Sequence, residues 1–210
     1  MTPLSQSARE GRRERELAMR RADVIAAAAS IFADKGFQGA QVAEIATAAE
    51  LSLNSVYGLF KGKEELYEAV IQEAAATVRD RVQNQVETLD DPRDQLLAII
   101  DSLFECFEDN EDLLRIYSRA THGLPWRVRQ TLGDGVAELS RAFSMWVVQI
   151  TTGLERDGGL RGLDPETLAF SIIGTVTTAA SRWIESPGDQ PLSEAAPKVR
   201  AIFERLLEDR

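Results

Sequence analysis

The chain has 210 residues, of which 44% are hydrophobic and 28% are charged, and its formal net charge is −10. This composition provides enough apolar side chains for a buried core and excludes a wholly disordered protein. The single cysteine, Cys106, excludes an internal disulfide framework and favours a cytoplasmic location. No apolar segment has the length and character of a membrane span, so we expect no membrane partner. The single histidine, His122, argues against a histidine-based metal site, and we predict neither a metal nor a cofactor.

Acidic charge is concentrated in the larger, C-terminal part of the chain. Residues 71–210 hold 15 basic and 24 acidic residues, whereas residues 1–70 hold 9 and 10. Six arginines lie within residues 9–21. We interpret residues 1–19 as a flexible, arginine-rich arm, which is either a solvated tail or a segment that contacts phosphate groups.

Helical periodicity extends along almost the whole chain. Apolar residues recur at helical spacing and no segment shows the alternation of a strand, so we predict an all-α fold with about nine helices. Gly36 is expected to end the first helix, and Gly133 and Gly135 are expected to bend the seventh. The nine helices are expected to begin near Ala22, Val42, Leu53, Lys63, Pro92, Asp112, Trp126, Pro165 and Glu194.

Residues 42–66 contain two short helices that are joined by a tight turn at residues 50–52. Ala46 is small at the point where the two helices would cross, and Ser52 is well placed to cap the second helix. This arrangement is typical of a helix-turn-helix, in which the first helix supports a second helix that enters the DNA major groove. The side chains expected to face inward are Ile45, Ala49, Leu51, Val56 and Leu59.

Four motifs in this region carry a family resemblance. They are FADKGF at residues 32–37, VAEIATAAELS at 42–52, SVYGLF at 55–60 and KEEL at 63–66. In this order and at this spacing they resemble the N-terminal domain of the TetR/AcrR family of bacterial transcriptional regulators. A bare helix-turn-helix pattern is a weak signal, but this pattern includes the preceding helix, the Lys-Gly-Phe turn and the start of the following helix.

The resemblance implies a domain organisation and a function. It implies a three-helix helix-turn-helix domain over residues 20–66 and a helical effector-binding and dimerisation domain over residues 67–210. It also implies a ligand-responsive transcriptional regulator rather than an enzyme. Such a protein binds a palindromic operator in double-stranded DNA as a homodimer, and a small hydrophobic or aromatic effector releases it. Repression is the commoner mode in the family.

Carried over to this sequence, the resemblance places Tyr57 and Lys63 at DNA phosphates. The stretch from residue 51 to residue 60 contains no lysine or arginine. We therefore expect Asn54 to read base edges, and cations outside this stretch to provide the affinity. The expected DNA-binding residues are Arg20, Arg21, Gln41, Thr47, Ser52, Leu53, Asn54, Ser55, Tyr57, Lys61 and Lys63.

The sequence departs from the family pattern at four positions. Glu50 and Asn54 stand where glycine is common, Leu59 where histidine is frequent, and Gly62 where a serine or threonine cap is common. If Glu50 adopts a positive φ, its side chain costs roughly 1 kcal/mol. These departures make the operator sequence unpredictable from the family alone.

The C-terminal two thirds interleave aromatic and polar residues, which is the composition of an apolar effector pocket but also of an ordinary helical core. We expect ligand contacts from Phe104, Phe107, Tyr117, His122, Trp126, Trp146, Phe170 and Thr177. Small residues in the helix from Pro165, together with the last helix, favour a four-helix bundle between two copies. The expected dimerisation residues are Ile172, Gly174, Val176, Ala180, Trp183, Ile202, Phe203 and Leu206.

Two other classes of function remain open at this stage. An enzyme is the weaker alternative, because His122 has no nucleophile motif near it and the glycine-rich residues 157–162 follow a helix rather than a strand. A helical adaptor that has lost sequence-specific DNA binding is the stronger alternative. Glu50 and the uncharged recognition stretch support the adaptor, whereas Tyr57 and Lys63 argue against it.

Overall fold

A computed structural model describes residues 3–121, 127, 131–160, 162–186 and 191–208 of the chain, with the side chains described from residue 8 onward. The described residues form nine α-helices and no strand, which confirms the all-α prediction. The helices are α1 (Pro3–Gly39), α2 (Val42–Ala48), α3 (Leu53–Leu59), α4 (Lys63–Val86), α5 (Pro92–Asp109), α6 (Glu111–Thr121), α7 (Asp134–Arg156), α8 (Pro165–Glu185) and α9 (Ala196–Leu207).

The chain divides into two compact units, Met1–Val70 and Ile71–Arg210. The boundary falls within the residues of α4 rather than in a loop. Among the described helices, none is both long enough and apolar enough to cross a membrane.

Helix α1 begins far earlier than its apolar pattern predicts. Residues 3–19, which we expected as a flexible arm, form the first half of this helix. The segment is rich in good helix formers, and Glu16 precedes Arg20 by four residues, a spacing that stabilises an exposed helix. Near its other end, Gly36 has a φ of 66° and breaks the helical geometry, as its position in the sequence predicts.

The N-terminal unit has a small core that is built from all four of its helices. Phe32 of α1, Ile45 of α2, Val56 of α3 and Leu66 of α4 are all almost completely buried. The ring of Tyr67 lies edge-on to that of Phe32, at a centroid distance of 4.9 Å. These contacts fix the two short helices, since isolated helices of seven residues are unstable in water.

The C-terminal unit is a helical bundle with a large apolar core. Helix α5 supplies more of the buried side chains than any other helix, and α7, α8 and α9 pack against it. Two helices start at the aspartate–proline pairs that predict them. The Asp91 carboxylate accepts a hydrogen bond of 2.8 Å from the backbone N–H of Arg93, and Asp164 accepts one of 2.7 Å from Thr167.

Two helix boundaries differ from the sequence-based prediction. Helix α7 begins at Asp134 rather than near Trp126, because Gly133 has a φ of 88° and stands immediately before the first turn. Residues 122–126 lie outside the described part of the chain. The last helix begins at Ala196 rather than Glu194, since residues Leu192–Ala195 form a separate 3-10 turn before it.

Candidate functional site

The turn between α2 and α3 has well-defined hydrogen bonding. The backbone N–H of Leu51 donates to the Ala46 carbonyl at 2.9 Å, and that of Glu50 donates to the Thr47 carbonyl at 3.1 Å. These two bonds form the Schellman motif that ends many helices, in which the residue after the C-cap has a positive φ. Glu50 occupies that position with a φ of 56°, and it is the one described residue other than glycine with a positive φ. Glu50 therefore meets the condition under which its side chain costs roughly 1 kcal/mol.

Replacing Glu50 by glycine is expected to stabilise the helix-turn-helix by about 0.5–1 kcal/mol. Glycine adopts a positive φ without the steric cost of a Cβ atom, although it loses more chain entropy on folding. Hydrogen exchange of the amides in α2 and α3 measures this change, with Glu44→Gly as a destabilising control inside α2. Faster exchange in Glu50→Gly than in the wild type would show that the glutamate side chain stabilises the turn.

Helix α3 is capped in the way its sequence predicts. The Ser52 hydroxyl oxygen accepts a hydrogen bond of 3.1 Å from the backbone N–H of Ser55. The hydroxyls of the two serines are also hydrogen-bonded to each other at 2.8 Å. The side chains of both serines therefore form hydrogen bonds at the start of α3, and these bonds fix the direction of the helix.

One face of α3 is exposed, and it carries three of the residues expected to contact DNA. Val56 is buried, whereas Leu53, Asn54, Tyr57 and Gly58 are exposed. No charged residue lies on this helix. The exposed face therefore offers an amide, a phenol and an apolar side chain on a short helix.

Lys63 is held within the N-terminal unit. Its ammonium group donates to the carbonyl of Ala40 at 3.1 Å and to that of Gln38 at 3.5 Å, and it lies 4.6 Å from the centroid of the Phe37 ring. These contacts join the start of α4 to the segment that connects α1 and α2. The family resemblance implies that Lys63 contacts a DNA phosphate. Its contacts with the Ala40 and Gln38 carbonyls add a structural role, which the sequence does not indicate because these partners lie 23 and 25 residues away.

Arg21 is held by the end of α3. Its guanidinium lies 4.3 Å from the centroid of the Phe60 ring and donates to the Leu59 carbonyl at 3.4 Å. A cation at this carbonyl also interacts favourably with the C-terminal end of the helix dipole. Arg21 therefore supports the position of α3 from α1.

The remaining residues expected to contact DNA lie at the surface of the same unit. Gln41 precedes α2, and the Thr47 hydroxyl donates to the Ala43 carbonyl within α2 at 2.9 Å. Arg20 and Lys61 are exposed. The backbone N–H of Lys61 donates to the Glu65 carboxylate at 2.9 Å, which leaves the ammonium group of its side chain as the part available to a ligand.

A cavity of about 160 Å³ lies inside the C-terminal unit, between α4, α5, α6, α7 and α8. Its wall is almost wholly apolar, and Arg79 is the one charged residue among the described residues that line it. The polar groups at the wall include the phenol of Tyr117, whose pKa is raised by burial, so that it stays protonated at neutral pH. An apolar compound with few polar groups would fit such a site.

Half of the residues expected to bind a ligand line this cavity. Phe107, Tyr117, Phe170 and Thr177 do so. Phe104 does not, because it is completely buried in the core. Trp146 is not among the described lining residues; its ring packs against that of Phe143, which does line the cavity, at a centroid distance of 5.6 Å. His122 and Trp126 lie outside the described residues.

Sequence reasoning missed most of the aliphatic wall and the residues of α4. The wall includes Ile71, Ala75 and Val78 of α4, and Val136 and Leu139 of α7. Their helical spacing is visible in the sequence, but the same spacing also describes an ordinary core. Only the tertiary structure separates the two, because it shows where the helices leave a space.

Cys106 belongs to the core rather than to a reactive site. Its side chain is fully buried on α5, and burial raises the pKa of the thiol, which disfavours the reactive thiolate. Within the residues that the structure describes, no cluster of histidine, cysteine, aspartate and glutamate could hold a metal ion.

The residues expected to form a dimer interface lie in three different places. Four of them, Ile172, Val176, Ala180 and Phe203, are buried in the core of the single chain. Gly174 lines the cavity, and Trp183 packs against the core. Only Ile202 and Leu206 are exposed, with 58% and 46% of their surface accessible. The core of the single chain produces the same apolar helical spacing as an interface between two copies, so the dimer role of these residues stays a prediction.

Comparison with known proteins supports the assignment of the N-terminal unit. Residues 24–70 match the family model described as bacterial regulatory proteins, tetR family. The transcriptional repressor KstR2 of Mycolicibacterium smegmatis is 28% identical over 185 residues, which cover 88% of this chain and 89% of that protein.

Solved structures share the whole fold. The regulator FadR from Bacillus subtilis, in complex with stearoyl-CoA, aligns with a TM-score of 0.77 at 19% identity and covers 89% of this chain and 99% of that one. AibR, in complex with isovaleryl coenzyme A and operator DNA, aligns with a TM-score of 0.71 at 18% identity and covers 87% of this chain and 97% of that one.

Proposed function

We propose that this chain, which belongs to the tetR family of bacterial regulatory proteins, represses transcription as a homodimer on a palindromic operator and is released by an acyl effector. Binding of operator DNA and of a small-molecule effector is the shared activity of the family's regulators. The homodimer, the operator residues and the class of effector are specific to this proposal.

The exposed face of α3 is the observation that carries the DNA-binding part. Leu53, Asn54 and Tyr57 are exposed there, on a helix whose opposite face is buried and whose start is capped. Asn54 can form a bidentate pair with adenine, and Leu53 can contact a thymine methyl group. A seven-residue helix whose opposite face is packed against the rest of the unit is able to enter the major groove.

Binding affinity must come from cations that lie outside α3. Arg20 and Lys61 are exposed, and they flank the helix-turn-helix in sequence. Each phosphate that such a cation neutralises releases counterions and steepens the salt dependence of binding. Lys63 and Arg21 contribute mainly by positioning α3. The ammonium group of Lys63 binds the Ala40 carbonyl, and the guanidinium of Arg21 packs on the Phe60 ring.

An apolar cavity supports the effector part of the proposal. Its wall is formed mainly by aliphatic and aromatic side chains, and Arg79 is the one charged residue among the described residues that line it. Two regulators with this fold were solved with acyl thioesters of coenzyme A bound. An acyl group suits such a wall, and an anionic group suits the arginine. To release DNA, the effector must bind the DNA-incompetent state more tightly than the competent one.

Replacing Asn54 and Lys61 separately by alanine is expected to affect different properties of DNA binding. Asn54→Ala should lower discrimination between the operator and single-base variants by about 1–3 kcal/mol at one position of each half-site. Lys61→Ala should weaken binding to every duplex alike and reduce the slope of log affinity against log salt by about 0.9 for each phosphate that the lysine neutralises. Fluorescence anisotropy with DNA from upstream of the chain's own gene measures both effects.

A scrambled duplex and Glu87→Ala, a surface variant in the C-terminal unit, serve as controls. An equal loss of affinity for all duplexes in Asn54→Ala would remove its proposed role at the bases. If neither upstream DNA nor selected genome fragments bind even at low salt, the proposal is wrong and the adaptor alternative is favoured.

A further inference from the structure

The cavity in the C-terminal unit is small for an effector site. Its volume is about 160 Å³. A cavity of about 150 Å³ holds one benzene molecule, whereas pockets for drug-sized ligands have volumes of about 300–1,000 Å³. The space therefore accepts an apolar group of roughly six carbon atoms.

Gly174 provides part of this space. It lies on α8 between Phe170 and Thr177, which also line the cavity, so that one stripe of the helix faces the cavity. A Cβ atom built at Gly174 meets no other atom within 4 Å. Glycine costs about 1 kcal/mol relative to alanine inside a helix, and neither a positive φ nor a close approach requires it at this position. What glycine contributes here is room in the cavity.

Arg79 can bind an anionic group with little loss of free energy from its existing ion pair. Its Nε and Nη2 atoms both donate to one carboxylate oxygen of the adjacent Asp80, at 2.8 Å and 2.7 Å. Asp80 is largely exposed. Exposed ion pairs contribute about 0–1 kcal/mol, so an incoming anion can replace or share this partner.

We infer that the effector is a short-chain acyl anion, with an acyl group of roughly six carbons or fewer against Gly174 and its anionic part paired with Arg79. This inference rests on the effector role proposed above. A phosphate of a coenzyme A thioester and the carboxylate of a free acid provide the same kind of anion, and the experiment separates these two sources. The additional carbons of a long acyl chain would lie beyond this space.

The experiment titrates the intact protein with two series of compounds. One series contains saturated acyl-CoA thioesters from two to eighteen carbons, and the other contains the free acids of the same lengths. Calorimetry measures binding to the protein, and anisotropy measures release of operator DNA. Affinity should rise about fourfold for each added methylene up to roughly six carbons, because each buried methylene contributes about 0.8 kcal/mol, and should fall beyond that length.

Two variants test the assigned residues. Gly174→Leu fills the open space with four carbon atoms and should shorten the preferred chain by about three to four carbons. Its control is Gly11→Leu, a helical glycine in the other unit that also has no atom within 4 Å of an added Cβ, and the preferred chain length should not change. Arg79→Ala should weaken binding of the anionic compounds by about tenfold, the size of a charged hydrogen bond, whereas Arg79→Lys should retain most of it.

The outcomes separate this inference from the proposed function. Release by chains of twelve to eighteen carbons as strongly as by short ones would overturn the inference and leave an acyl-responsive regulator. An unchanged chain preference in Gly174→Leu, with a normal thermal unfolding curve, would overturn the role of Gly174. If DNA binds but no compound of either series binds the protein or releases DNA, the acyl effector itself is wrong and the inference is wrong with it.

Discussion

Replacing Phe104 by alanine is expected to lower the free energy of unfolding of the C-terminal unit by about 3–5 kcal/mol. Phe104 is completely inaccessible to solvent and lies in the core formed by α5 and its neighbours. Truncation removes the transfer free energy of the aromatic ring and leaves a cavity that the close-packed helices cannot fill. This is a large fraction of the stability of an ordinary domain.

Urea unfolding followed by tryptophan fluorescence measures this decrease in stability. All three tryptophans of the chain lie beyond residue 120, so that their emission reports on the C-terminal unit alone. The matched control is Phe170→Ala, because Phe170 is 48% exposed and its truncation should cost less than about 1 kcal/mol. If the two variants are destabilised equally, the separation of core and cavity residues proposed for the aromatics is wrong.

Features that depend on neighbouring residues can be predicted from the sequence. The caps at Ser52, Asp91 and Asp164 follow from a serine before a helix or from an aspartate–proline pair, because the side chain and the N–H group it satisfies lie within three residues. The sequence leaves the φ of Glu50 open, and the Schellman motif that the structure shows there gives it a positive value. Each of these features is decided by local geometry.

Features that depend on distant partners cannot be predicted in this way. The family resemblance assigns both Lys63 and Arg21 to DNA. Their contacts with Ala40 and Phe60 join residues that are 23 and 39 positions apart in the sequence. No periodicity in the sequence indicates which distant carbonyl or ring will accept a cation. Arg21 is exposed, as are Arg20 and Lys61, so its contact with Phe60 does not remove it from the cations expected to contact DNA.

Apolar spacing has the same ambiguity in the C-terminal unit. A helix that packs against its own core and one that packs against a second copy both show apolar residues at intervals of three and four. This spacing assigns Ile172 and Val176 to the dimer, yet both are completely buried in the single chain. Exposed apolar side chains are the better indicator of an interface between copies.

Introducing glutamate at both Ile202 and Leu206 is expected to dissociate the homodimer and to lower operator affinity by about 10²–10⁴-fold. The two side chains lie one helical turn apart on the exposed face of α9, whose opposite face contributes Val199 and Phe203 to the core. Two copies that bind together occupy both half-sites, and linkage of two binding events raises affinity by about 10²–10⁴-fold without any additional interaction. Carboxylates buried in an apolar interface would lack hydrogen-bond and charge partners, so they strongly disfavour association of the two copies.

Sedimentation equilibrium measures the oligomeric state, and anisotropy with the full operator and with an isolated half-site measures the effect on DNA. The double variant should sediment as a monomer and bind the full operator more weakly, while its weak binding to a half-site should remain. Met145→Glu is the control, because Met145 is similarly exposed but lies on α7. Since α3 and its contacts belong to the other unit, an unaltered half-site affinity shows that the weaker binding comes from dissociation. If the control dissociates the dimer and the α9 variant does not, the interface lies on α7 and the proposal for α9 is wrong.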